Sequence, residues 1–392
     1  MWSKALPQLG HCDFGGEGDL LGLAVHPNKQ GIVYVGHSGR FGTATSIIDA
    51  TDPRRPRVVD QIPKTQGTHS PKVVVVGDIM FANCERDIVW DGPPFVEPVA
   101  GAPDWTAGLR IYDVADPKSP KEIGFFETRG RGVHRMTCTE SGFAYLSASD
   151  DGYTEQFLRI VDVNDPVHPE EVGRWWYPGM WEAGGERRIF PSDRRYAIHH
   201  GLPNDDESLL ACGWWDAGFV LLDIQNRAQP QLVSNLNWGS RESGATHTAL
   251  PVPGRDLVAV TDEAILHNMA DGSKLVRLLD ISEPFSPQVV STLPPPMGDF
   301  VSREGRFGPH NILEPRPGTR IDANYLFVTF FNAGLRIFDI ADAGSPHEVA
   351  HFLPQPYPPM LQADDVTVDT RGVVYITDRA GNGLYLSAID NL

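Results

Sequence analysis

The chain has 392 residues, 41% of them hydrophobic and 21% charged, and its formal net charge is −18. So acidic a chain lacks the clustered Lys and Arg that phosphate backbones and anionic membranes attract, so neither nucleic acid nor membrane is an expected partner. The four cysteines, Cys12, Cys84, Cys138 and Cys212, are scattered without a C-x-x-C pair, which excludes a disulfide framework and a zinc knuckle and suits small buried residues. With no secretory-type apolar segment at the start and no apolar run of about 18 residues, a cytoplasmic location is expected.

Six segments repeat along the chain: SIIDATDPRRP, LRIYDVADPKSP, LRIVDVNDPVHP, VLLDIQNRAQP, VRLLDISEPFSP and LRIFDIADAGSP. In each, an Asp (Asp49, Asp113, Asp162, Asp223, Asp280, Asp339) precedes a Pro (Pro56, Pro120, Pro169, Pro230, Pro287, Pro346) by seven residues. A degenerate copy, LYLSAID, ends at Asp390. The alternating apolar residues before each Asp predict a pleated strand, and the Asp and Pro residues supply the turn that stops it. The run after each Pro (KEIGFF, EEVGRW, QVVSTL, HEVAHF) alternates again as the partner strand, and two more strand-like runs lie upstream.

A four-stranded unit repeated seven times, without helical periodicity, predicts an all-β, seven-bladed β-propeller of four-stranded antiparallel blades. The expected blades are 17–62, 67–128, 132–176, 197–238, 244–293, 308–354, and 362–392 completed by 5–14, all in one domain. In the last blade the N-terminal ALPQLGHCDF would supply the outer strand and close the ring, removing its exposed edges. The LRIYDV…DP…P copies resemble the LVIVD-repeat family of β-propellers over nearly the whole chain. The architecture is more distantly similar to selenium-binding proteins (methanethiol oxidases) and carotenoid oxygenases. That similarity implies a histidine-rich metal centre near the axis, although no motif transfers either family's residues position by position.

Histidine recurs where the inner strand of each blade begins. His199, His247 and His310 share H-x-x-L in blades 4, 5 and 6, while His69 and His134 hold the place in blades 2 and 3. Blade 7 has Asp364 there, and blade 1 has Leu21 with Asp19 two residues earlier. Inner strands converge toward the propeller axis, so these side chains are expected to meet. Neutral imidazoles are common ligands of Fe, Cu, Mn and Zn, which predicts one transition-metal ion, its identity open. Asp364 is a candidate further ligand, orienter or general base, and Arg135 a candidate catalytic neighbour. A duplicated structural latch would also repeat a histidine, but it should occur in every blade with a partner at constant spacing. His199 rather than His200 is expected to face the axis, since adjacent strand residues face opposite ways. His26, His168 and His347 fall in turns and are expected to be exposed, while His37 and His267 have no assigned place.

Three long insertions, 86–108, 175–197 and 294–308, are expected on the face where the inner strands start, as lids. Their Trp105, Trp175, Trp176, Trp181, Phe300, Arg187, Arg188, Arg303 and Arg306 suit an aromatic or carboxylate-bearing small molecule, with Trp181, Phe300, Arg303 and Arg306 as the substrate-binding candidates. The leading functional expectation is a mononuclear metalloenzyme of oxidoreductase or oxygenase type. A metal-dependent hydrolase or lyase, a metal-independent enzyme using a ring histidine as base, and a protein-binding scaffold are the alternatives.

Overall fold

The computed structural model describes residues 3–86, 107–238 and 244–389, whose strands form seven sheets around one axis: a seven-bladed β-propeller with almost no helix. Blade 1 contains Leu20–Val25, Ile32–His37, Thr43–Asp49 and Arg57–Pro63, from the axis outward. Blade 3 (Val133–Cys138, Phe143–Ala148, Phe157–Asp162, Glu170–Trp175), blade 4 (His200–Pro203, Leu209–Trp214, Gly218–Asp223, Gln231–Leu236) and blade 5 (Thr246–Pro251, Leu257–Asp262, Val276–Asp280, Gln288–Thr292) repeat that meander. Blade 2 splits its inner strand into Thr68–His69 and Val73–Val76, because Pro71 has no amide to give the ladder. In blade 6 the inner segment is reduced to a bridge, Ile312 to Val328, between Pro309 and Pro315, where a regular strand was expected.

The recurring Asp has a direct structural reason. Each one ends the third strand of its blade and accepts a hydrogen bond from the amide two residues on. The distances are 3.1 Å (Asp49), 2.8 Å (Asp113), 2.9 Å (Asp162), 2.9 Å (Asp223), 2.8 Å (Asp280) and 2.8 Å (Asp339). The side chain thereby starts the turn that leads to the outer strand. A register shift follows in every third-to-fourth strand pairing, and small residues there let the next blade approach. A Cβ on Gly124 would lie 1.9 Å from the Pro166 carbonyl oxygen, and one on Gly173 1.9 Å from that of Arg227. Apolar side chains from adjoining blades fill the space between sheets, as with Tyr145, Leu158, Ile160, Leu210 and Trp214 between blades 3 and 4.

Ring closure goes beyond the expected single strand. Gln8–Cys12 completes blade 7 antiparallel to Gly383–Ala388, as the sequence indicated. In addition Lys4–Ala5 adds a parallel outer strand to His347–Phe352 of blade 6. One N-terminal segment therefore covers the edges of two blades.

Insertion residues 87–106, including Trp105, and the degenerate copy's Asp390 lie outside the described residues. His26, expected in an exposed turn, is buried: its ring packs near Tyr34, and its Nε2 stands 3.4 Å from Asp78 of blade 2. His37 is also buried, bonded to Asp19 at 2.8 Å and Ser46 at 2.8 Å, and so ties blade 1 together internally.

Replacing Gly173 by Val should force Arg227 outward and destabilise the protein by about 1–3 kcal/mol, the usual range for overpacking. Chemical denaturation should show a lower midpoint with an unchanged slope.

Candidate metal centre

At the start of an inner strand the backbone has just left a loop, and its side chains point into the narrow end of the ring. There the histidines of blades 2 to 6 meet in sequence. Glu85 bridges His69 (3.2 Å to Nε2) and His134 (2.7 Å to Nδ1). His134 Nε2 lies 3.0 Å from His199 Nε2. The His199 and His247 ring centroids are 3.7 Å apart, and those of His247 and His310 4.3 Å apart. His310 Nδ1 is 2.7 Å from the carbonyl oxygen of Asp364, whose carboxylate is 3.3 Å from Lys72 of blade 2. These contacts pass around the axis and return to blade 2, crossing blade 1 without a contribution from Leu21.

Hydrogen bonding fixes the tautomers of two members. A carboxylate and a carbonyl oxygen can only accept, so the Nδ1 atoms of His134 and His310 carry protons and their Nε2 atoms present lone pairs. His247 Nδ1 bonds to the Thr248 hydroxyl at 2.7 Å. His199 Nδ1 is buried without a hydrogen-bond partner among the described residues. The 3.0 Å between the His134 and His199 Nε2 atoms therefore needs a shared proton or a shared cation, because two bare lone pairs at that distance repel.

Burial, and then the neighbouring His134 and Arg135, hold His199 well below the usual histidine range. His247 is also held well below it, by burial and then His199. Burial brings His310 down to about 4, against a partial upward pull from Asp364. Burial lowers His134 too, although Glu85 opposes it. The imidazoles are thus neutral, the form in which they bind metals. For Glu85, burial pushes the carboxyl up, but His134 and His69 overcome this and hold it well below the carboxylate range.

A carboxylate that the sequence reading missed completes the donor set. Glu263 Oε2 is 4.0 Å from His247 Nε2, Glu263 Oε1 is 3.6 Å from His310 Nε2, and donor atoms of His199, His247 and Glu263 all lie within 4.8 Å of one another. Two histidine nitrogens bound to one first-row ion at about 2.1 Å stand about 3.0–3.4 Å apart, so the His134–His199 separation fits such a pair. Glu85, Glu263, Lys72 and Arg379 were all absent from the sequence expectation. Glu263 and Arg379 hold equivalent places just after their second strands, within T-D-x-A at 261–264 and 377–380, and their amides bond to Ala245 and Gln362, each two residues before a ring position. That shared tetrapeptide was a usable signal.

The other expected residues are distributed differently. Asp364 is fully buried beside His310; burial raises its carboxyl, but Lys72, His310 and Arg379 more than offset this and keep it below the usual range. Arg135 does not face the Nε2 atoms. It crosses from blade 3 to blade 6, donating to Asn311 Oδ1 (2.7 Å) and Glu314 Oε1 (2.6 Å). Arg316 adds bonds to Glu314 (2.8 Å) and to the Leu23 carbonyl of blade 1 (2.6 Å), so ion pairs floor the site and block the channel. His200 belongs to this lower layer, bonded to Thr137 at 2.9 Å. Beyond the floor lies a separate cavity of about 360 Å³ among Thr137, Cys138, Leu202, Leu250 and Arg316.

Of the four substrate-binding candidates, Arg306 reaches the site, donating to Glu263 Oε1 at 2.8 Å. Phe300 is instead a packing residue, 4% exposed, in the cluster with Leu293, Phe330 and Phe338. Arg303 stacks over Phe300 and Tyr357, and Trp181 packs on Trp176 and Tyr153. The Phe300 and Trp181 rings and the Arg303 guanidinium thus pack their loops against neighbouring side chains.

Comparison with known proteins agrees with the architecture. The chain carries LVIVD repeats: the model of that repeat matches residues 212–237 and 320–353. No curated protein sequence matches the chain. The fold is similar to the periplasmic gluconolactonase PpgL of Pseudomonas aeruginosa (TM-score 0.65, 11% identity, 95% of this chain and 92% of that one). It is also similar to a chain in the crystal structure of the mitotic checkpoint complex (TM-score 0.60, 10% identity, 99% and 90% covered). At these identities the likeness concerns the fold alone.

Because His310 is neutral when folded but titrates near 6.5 when unfolded, protonation favours the unfolded chain between these values. Stability should be complete above about pH 6.5 and fall as the pH drops toward about 4. For metal-free protein, His310→Gln should flatten the decline by about 3 kcal/mol, as read from denaturant titrations at both ends of the window.

Proposed function

We propose that the protein is a metal-dependent enzyme that binds one transition-metal ion through His199, His247 and Glu263, with His134 and His310 beside them, and acts on a small organic substrate. The observation that supports this most directly is the set of lone pairs. Two imidazoles have their Nδ1 protons committed to oxygen acceptors, which leaves the His134 Nε2 lone pair 3.0 Å from His199 Nε2 and the His310 Nε2 lone pair 3.6 Å from Glu263 Oε1, places where a cation would be held from both sides. Glu85 acts on His134 as carboxylates do behind metal-bound histidines, fixing tautomer and orientation.

Within this reading an oxidoreductase or oxygenase is favoured. Imidazole nitrogens suit Fe and Cu as well as Zn, and His134 and His310 stand beside the three-residue group as further imidazoles that a redox ion could recruit. The bound ion would polarise substrate and exchange electrons with it. The chain's own groups would orient the substrate, exclude water and hold charge. Lewis-acid hydrolysis is the second reading: two histidines and a glutamate also make a catalytic zinc set, and the similarly folded PpgL is named a gluconolactonase.

Natively purified protein should contain close to one equivalent of Fe, Cu, Mn or Zn by elemental analysis, and His199→Ala with Glu263→Gln should lose it while staying folded by circular dichroism. The element would choose between redox and hydrolytic chemistry. Glu85→Gln should keep the site but weaken metal affinity about 10–100-fold, as for other outer carboxylates. A metal-free wild type that stays empty after anaerobic reconstitution would overturn the reading.

A further inference from the structure

Among the described residues, four cations form ion pairs with the carboxylates of the histidine ring: Lys72 with Asp364 (3.3 Å), Arg131 with Glu85 (3.9 Å), Arg306 with Glu263 (2.8 Å), and Arg379 with Asp364 (3.2 Å) and Glu263 (4.0 Å). Arg131 is shared with Glu155 (3.6 Å), which also pairs with Arg195 (3.4 Å). Lys72 and Arg379 both reach Asp364, and cations held in so buried a place with donors to spare favour an anion beside them.

Unused donors show where that anion would sit. The Lys72 ammonium has three N–H groups and one hydrogen bond, to Asp364 at 3.3 Å. Its stem lies across blade 1, where Gly22 makes room: a Cβ there would be 3.0 Å from Lys72 Cδ. The Arg379 guanidinium, 24% exposed, has two ion pairs but no hydrogen bond among the described residues. Asp364 Oδ1 between them also lacks one. These groups come from blades 2 and 7 and meet in front of blade 1, whereas the imidazoles around the metal donors come from blades 3 to 6. A substrate between the two sides would meet metal donors on one and unsatisfied cations on the other.

We propose that the substrate is an organic carboxylate whose carboxylate group seats on Lys72 and Arg379, its reacting part turned toward the histidines. What happens to it there rests on the metalloenzyme reading, but the seat itself consists of side chains alone. Arg379 offers the planar fork that matches a carboxylate, and Lys72 a point charge.

Calorimetric titration of the protein with acetate and benzoate, and with the neutral acetamide and benzamide, tests this in metal-loaded and metal-free samples. The carboxylates should bind at least about tenfold more tightly than the amides, and Arg379→Gln should remove that preference with metal content unchanged. Lys72→Met leaves Asp364 buried without its partner, so the Lys72→Met/Asp364→Asn variant, which keeps the charge balance, gives the second reading and should also lose the preference. Equal binding of acids and amides, or variants that bind benzoate like wild type, would overturn the proposal. Protein that takes up metal but no carboxylate sinks the anion seat alone; protein that binds carboxylate but never metal sinks the metalloenzyme reading alone.

Discussion

Seven inner strands converge on one axis, and the polar groups they carry there are shut off from water and must satisfy one another. That constraint shapes the whole centre. Each buried donor or acceptor left alone would cost about 1–3 kcal/mol, and more if charged. The protein answers the requirement in two layers. In the lower layer, Arg135, Glu314 and Arg316 join blades 3, 6 and 1 through charge-assisted bonds, so the floor is fixed from several sides. Neither layer meets the requirement completely. Among the described residues, His200 Nδ1 in the lower layer and His199 Nδ1 and Asp364 Oδ1 in the upper have no hydrogen-bond partner, and Lys72 and Arg379 keep donors free. Those of the upper layer lie beside the proposed metal and anion sites.

This arrangement depends on blade geometry set far from the axis. The six Asp side chains that open the outer turns give each blade the same exit, and glycines such as Gly124 and Gly173 let the following turn come close. At the hub, neighbouring imidazoles contact one another, with ring separations of 3.7 Å and 4.3 Å.

What could be read from the sequence follows from this division. The fold was legible because its signals repeat: one Asp and Pro spacing, six times, defines the blades. His134, His199, His247 and His310 were legible for the same reason, each marking the start of an inner strand. Glu85 stands alone at the end of its strand, where a charged residue ordinarily faces solvent, whereas Glu263 and Arg379 share the T-D-x-A tetrapeptide, a signal that two copies alone made easy to pass over. Lys72 did carry a weak signal, a single charge entering the buried VVVV run. Phe300 was assigned to substrate on composition alone, which cannot separate a lining aromatic from one that fastens its loop. The second N-terminal strand was missed because two residues, Lys4 and Ala5, carry no periodicity.

The double pairing of the N-terminal segment has a consequence for how the chain reaches this state. Residues 4–5 and 8–12 take their places only beside His347–Phe352 and Gly383–Ala388, more than 340 positions away in the sequence. During synthesis this segment is made long before its partners and must wait, unpaired, until they have emerged. Blades 2 to 5 can assemble in order from local hairpins, but closure needs the two most distant parts of the chain to find each other, and such long-range pairing is slow. The seal of the ring therefore waits on residues made early, and His310 of blade 6 and Asp364 of blade 7 are held in final register only once that seal is made.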